Sequence, residues 1–173
     1  MFGPDGTDDP AEPGTGDVLR WPAGFSPVFS DVWARGELVV GARPAAVFSR
    51  LVSIRRWEQD FSGIRNARVL TPGHECLAPG TEFGFEIDGV RLDAYVSDFV
   101  ADSRLAWFAL GIDIAVFHAW AVSGELVTSQ VAAGFAARGA AAIAMREPDP
   151  GASQRWLGRW LAGLKAAAES ARP

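Results

Sequence analysis

His118 is the residue whose type and neighbours best suit it for chemistry. It lies in a run from Ile112 to Val122 that alternates like a strand, in which successive side chains point to opposite faces. One face carries Ile112, Ile114, Val116, His118, Trp120 and Val122; the other carries Asp113, Ala115, Phe117, Ala119 and Ala121. The bulkier set belongs inside, which aims His118 inward beside Trp120. A neutral imidazole in an apolar cavity can act as a general base or donate a hydrogen bond to a carbonyl. The plainer alternative is a core histidine satisfied by a neighbouring backbone or side chain. Tyr95 would be the best donor to a developing enolate if it faced inward. The alternation of Val90 to Val100, however, puts Leu92, Ala94 and Val96 inside and Tyr95 outside with Arg91 and Asp93. Ser129 is the remaining hydroxyl that could help with proton transfer.

Other chemistries find no footing in the spacing. The two histidines, His74 and His118, are far apart and neither sits in a His-x-Glu or paired-His pattern, so no metal is expected. The single cysteine, Cys76, excludes an intrachain disulfide and has no evident basic neighbourhood to make it nucleophilic. No strand–Gly-x-Gly-x-x-Gly–helix unit and no Gly-x-Ser-x-Gly elbow occurs, and no cofactor is implied. A formal net charge of −5 argues against nucleic-acid binding, which needs a basic surface to displace counterions. No stretch approaches membrane-spanning length and the start lacks a basic segment followed by an apolar run. Membrane insertion is therefore not expected, and a cytoplasmic location is.

The elements that must position these residues follow from punctuation and period. Residues 1–17 are Gly, Pro, Asp, Glu and Thr with almost no apolar side chain, too little to offset the entropy of ordering. Residues 1–30 are accordingly read as a disordered tail followed by an arm, which Trp21, Phe25, Val28 and Phe29 could pin to a domain spanning 31–171. Within the domain, Val32–Val40 reads as a strand. Pro44 opens a first short helix, with Val47, Phe48, Leu51 and Val52 on one stripe. A second short helix, Ile54–Phe61, carries Trp57 as a packing residue or pocket lip.

Strands follow at Ala67–Thr71, at Gly80–Val96 folded about Asp88-Gly89, at Arg104–Phe108 and at Gly111–Trp120. Alternation puts Phe83 and Phe85 on an inner face, with Val96 on the next strand and Trp107 beyond it. The Ala-rich run Ala136–Met145 favours helix. After the break at Glu147–Gly151, a long helix places Trp156, Leu157, Trp160, Leu161, Leu164 and Ala168 on one arc. The expected fold is α+β: a curved antiparallel sheet of about seven strands wrapped around the long C-terminal helix. The space between them suits an apolar small molecule. Its expected walls are Trp57, Phe83, Phe85, Val96, Trp107, Trp120, Ser129, Trp156 and Trp160, around His118.

The ordered motifs Ala42-Arg-Pro-Ala-Ala-Val-Phe48, Trp57, Pro79-Gly-Thr-Glu-Phe83 and Ser103-Arg-Leu-Ala-Trp107 continue with Gly111-Ile112, His118-Ala-Trp120 and Trp160-Leu161…Leu164-Lys165…Glu169. Together they resemble the helix-grip superfamily of START-like or SRPBCC proteins, in particular its polyketide cyclase/dehydratase-like branch. The resemblance covers most of residues 37–169. It implies the helix-grip fold and a hydrophobic ligand, and it is weaker on activity because this scaffold hosts enzymes and carriers alike. Members of this type often carry Thr-Glu-Glu on the last strand, where this chain has Thr128-Ser-Gln-Val131, so the acidic pair is missing. Three functions stay open: a polyketide cyclase/dehydratase-like enzyme using His118, a non-catalytic carrier or sensor, and a module that binds a protein partner.

Overall fold

The computed structural model describes residues 18–170. The expected disordered tail, residues 1–17, lies outside them, as does the expected end of the domain at residue 171. The chain runs β1 (Val32–Val40), α1 (Pro44–Val52), a single helical turn (Ile54–Arg56) leading into α2 (Trp57–Asp60), then β2 (Ile64–Val69) and β3 (Glu82–Ile87). It continues through β4 (Val90–Val100), β5 (Arg104–Gly111), β6 (Ile114–Gly124) and β7 (Ser129–Arg138) to α3 (Ala140–Arg146) and α4 (Ala152–Ser170). The seven strands form one sheet in the order β1-β7-β6-β5-β4-β3-β2, antiparallel throughout. The first strand thus pairs with the last, and α4 packs inside the curve against β1, β7 and α1. This is the helix-grip arrangement.

Local chemistry accounts for most of the element boundaries. Asp88 and Gly89 take φ of 48° and 85°, the two positive values that a type I′ hairpin between β3 and β4 requires. Pro44 sits at the first position of α1, where its missing N–H costs no hydrogen bond. The edge strand β1 is covered by α4. Ser153 Oγ donates to the Trp33 carbonyl, Gln154 Nε2 to Arg35 and Lys165 Nζ to Val39. Those carbonyls would otherwise invite pairing with another chain.

Two expectations about boundaries need correction. Ala136 and Ala137 belong to β7, opposite Phe117 and Val116 of β6, and the helix begins only at Ala140. Alanine's helical preference, a fraction of a kcal/mol per residue, loses to the ladder and to burial between two neighbouring strands. Ile112 and Asp113 lie in the β5–β6 turn, where Asp113 takes φ of 56° and Ile112 is 88% exposed. The inner face of β6 therefore begins at Ile114, with the parity of the later residues unchanged.

Two apolar layers result. The outer one lies beneath the N-terminal arm: Leu19 is buried with Ala106, Phe117, Ala119 and Ala132, while Trp21 and Phe25 set their rings edge-on or tilted against Phe117 and Phe108. Val28 and Phe29 are exposed, so Trp21 and Phe25 anchor the arm without them. Tyr95 lies on this outer side, stacked on Phe108. The inner layer is the main core between sheet and α4, and it is dense in aromatic rings. Trp57 donates its indole N–H to the Leu51 carbonyl and meets Phe61, Phe83 and Phe85 edge-on.

Helix α4 approaches α2 at Gly163, where an added Cβ would overlap the Asp60 carbonyl. Backbone cannot give way as a side-chain tip can, so Gly163→Ala should destabilise the fold by about 1–3 kcal/mol despite alanine's better helix propensity. Urea unfolding checks this. A stabilised variant would mean that α2 does not press on α4 here.

Candidate functional site

A cavity of about 160 Å³ opens at one end of the inner layer, under the β3–β4 hairpin and beside α3 and the first half of α4. The strands supply Phe85, Trp107, Ile114, Val116, His118 and Phe135; the helices supply Ala142, Met145, Trp156 and Trp160. The wall is apolar because each strand contributes its inward parity only. Toward the opposite end the interior is filled. Phe61 stacks on Trp160 with ring centres 4.9 Å apart, and Trp57, Phe83 and Trp120 close the space behind them.

His118 sits where the cavity meets this aromatic plug and is 2% exposed. Its ring lies 4.7 Å from Trp107, 5.2 Å from Trp120 in a stacked pose and 5.3 Å from Trp160, measured between centres. Burial away from water lowers its pKa from 6.5 to about 3, so the imidazole is neutral. Among the described residues Nε2 has no hydrogen-bond partner, and neither do the indole nitrogens of Trp120 and Trp160. The plainer expectation of a histidine satisfied within the core is thus not met at Nε2. An unpaired polar atom in an apolar wall is costly unless something enters to meet it.

Of the residues expected at the site, Phe85, Trp107, His118, Trp156 and Trp160 line the cavity together. Five do not. Trp57 and Phe83 are fully buried in the plug, and Trp120 faces inward but stacks on Trp160 behind His118. Val96 packs in the core opposite Trp107, beside the irregularity where β4 shifts register against β5. Ser129 is the clearest correction. Its hydroxyl donates to the Ala42 carbonyl at 2.6 Å and ties the start of β7 to the segment before α1, so it is not available to a ligand. Inward parity was read correctly for these apolar side chains; their depth along the sheet was not readable from parity.

The mouth is the part that sequence reasoning missed. It is bordered by Asp88 of the hairpin, by Arg146 and Asp149 around the α3–α4 break, and by Arg159 of α4. The signal was present in Glu147-Pro-Asp-Pro-Gly151, which splits two helices just where the apolar arc of α4 begins. Asp149 is engaged: its carboxylate pairs with Arg155 and accepts from the Gly151 N–H. Arg146 donates through Nη1 to the Asp31 carbonyl at 2.7 Å. The Arg159 side chain has no hydrogen bond or ion pair among the described residues.

No three His, Cys, Asp or Glu side chains converge as a metal site among the described residues. None of their helices is long and apolar enough to cross a membrane.

No family model matches the sequence, and no curated protein does. Solved structures match it well. Hypothetical protein jhp0584 from Helicobacter pylori superposes with a TM-score of 0.81 at 25% identity, covering 91% of this chain and 99% of that one. A START superfamily protein from Mycobacterium smegmatis gives 0.60 at 11% identity, covering 80% and 94%. The di-domain ARO/CYC StfQ from the steffimycin biosynthetic pathway gives 0.59 at 18% identity, over 78% of this chain and 44% of StfQ. DynU16, from the dynemicin biosynthetic locus, gives 0.58 at 17% identity, over 82% and 48%; the chain spans about half the length of these last two proteins. The chain shares its helix-grip fold with these proteins.

Proposed function

We propose that this chain binds a hydrophobic small molecule in the cavity beside His118. The observation that carries the reading is the partnerless Nε2 of a buried histidine in an otherwise apolar wall. A buried polar atom without a partner costs about 1–3 kcal/mol, and a ligand oxygen meeting it would recover much of that. Volume narrows the ligand. An apolar cavity of about 150 Å³ accommodates a benzene-sized guest, so the buried part of the ligand is about one ring and the rest extends through the mouth. A multi-ring molecule would not be enclosed.

Cyclase-like catalysis by His118 is the second reading, favoured by the likeness to DynU16 and StfQ, which come from a biosynthetic locus and pathway. Acid–base strength weighs against it. A general base works best with a pKa near the operating pH, and an imidazole held near 3 is a poor proton acceptor. Tyr95 is on the outer face and Ser129 is engaged elsewhere, so neither hydroxyl can assist. Binding without turnover, as in a carrier or sensor, is the better-supported function.

Titration with phenol, one ring bearing one oxygen, tests the reading by NMR. The His118 ring and the indole signals of Trp107, Trp156 and Trp160 should shift together. Val116→Phe, which places a ring in the cavity from a half-buried wall position, should weaken binding about tenfold or more, equivalent to about 1.4 kcal/mol. Shifts confined to the outer aromatic face, or binding unaffected by Val116→Phe, would remove the cavity as the site.

A further inference from the structure

We infer that the cavity selects small apolar acids, holding a ring against Trp107 and Trp156 and a carboxylate at the mouth by Arg146 and Arg159. This rests on the binding reading above and adds the chemical class of the ligand.

The cavity is asymmetric in polarity. Its depth carries rings and aliphatic side chains with a neutral imidazole, while its mouth carries the charges. Those charges do not cancel. Asp149 is neutralised by Arg155, leaving Asp88 as the acidic side chain against two guanidinium groups. Arg146 is held by one bond to the Asp31 carbonyl, which steers the group while leaving most of its N–H donors available. Arg159 has no acid or carbonyl partner among the described residues, although it borders a cavity. It lies three residues beyond Trp156 on α4, so ring contact and charge contact come from one helix face.

The helix itself adds to the field. Ala152 and Ser153, at the start of α4, border the mouth, and the first turn of α4 contains no acidic residue. The positive end of the helix dipole therefore acts in the same sense as the two arginines. Arginine's planar fork matches a carboxylate in two parallel bonds, which an alcohol or an amine cannot reproduce. An amine would be repelled. A neutral ligand would enter the ring site without using the mouth.

Calorimetric titration with 3-(4-hydroxyphenyl)propionate, 3-(4-hydroxyphenyl)propan-1-ol and 3-(4-hydroxyphenyl)propan-1-amine separates these cases, since the three share a ring hydroxyl that can meet His118 Nε2 and a chain length. The acid should bind about tenfold tighter than the alcohol at low salt, with the amine weakest, as expected for charge-assisted hydrogen bonds at a partly exposed site. In the Arg146→Gln, Arg159→Gln double variant the ratio of acid to alcohol affinity should fall to near one. Arg159→Glu should reverse the order of acid and amine. Alcohol binding with no preference for the acid in the wild-type protein overturns the inference and leaves the binding reading standing. An acid preference that survives the double variant also overturns it, because the selectivity would then arise elsewhere. Failure of all three compounds to bind defeats the binding reading and this inference together.

Discussion

Trp160→Ala should cost about 3–5 kcal/mol of stability, the range for truncating a fully buried large aromatic. Trp160 is 1% exposed and sits at the junction of plug and cavity, touching Trp57, Phe61, His118, Trp120 and Trp156. The rings around it are themselves packed against strands β3, β5 and β6, so they cannot easily collapse into the space left. For a domain of this size the loss corresponds to a fall in Tm on the order of 10 °C. It should also remove the floor beneath His118 and weaken phenol binding. The readouts are urea unfolding and a thermal melt. A cost below about 1 kcal/mol would show that α4 does not close the sheet through this face, and the helix-grip assignment would fail with it.

The fold was readable because its signals are local and agree with one another. Asp88-Gly89 specifies a hairpin, Pro44 starts a helix, and the arc from Trp156 to Ala168 needs an apolar partner that only the strands can provide. Where reading failed, a non-local term had won. Ala136 and Ala137 extend β7 because β6 and β1 already flank them, which no propensity scale contains. The site was half readable for a related reason. Period two says which side chains point inward, and it correctly turned His118 in and Tyr95 out. It cannot say how far along the sheet each inward residue lies. Trp57, Phe83 and Trp120 therefore fill one end while Trp107, Trp156 and Phe85 bound the open one. The charged mouth depends on where the chain returns after the Pro148–Pro150 break. That position is tertiary.

Acid should unfold this protein through His118, with a dependence that disappears when the imidazole is removed. Burial lowers the folded-state pKa to about 3, against 6.5 for the unfolded chain. Below pH 6.5 the unfolded chain therefore binds a proton that the native state refuses, so stability falls as pH falls. It is fully present above about pH 6.5 and is lost progressively until the folded-state pKa is reached. The slope approaches about 1.4 kcal/mol per pH unit, which amounts to roughly 3 kcal/mol between pH 8 and pH 4.5. The groups packed on the ring are Trp107, Trp120, Phe135, Trp156 and Trp160, none of which titrates in this window. Asp60 acts in the opposite sense. Its pKa is raised by desolvation, against the opposing pull of Arg50 and Arg56, so its protonation in acid favours the native state. The difference between wild type and His118→Phe isolates the histidine from it. Phenylalanine keeps the ring and removes the partnerless nitrogen, so at pH 8 the variant should be as stable as wild type or slightly more stable. At pH 4.5 its advantage should widen to roughly 3 kcal/mol, the part of the linkage lost by that pH. Parallel stability–pH curves would mean that the native state accepts the proton. The imidazole would then be reached by water or by a counter-charge, and the picture of a dry cavity wall with one unmet nitrogen would be wrong. Divergence only below pH 6.5 is the result that a buried neutral imidazole requires.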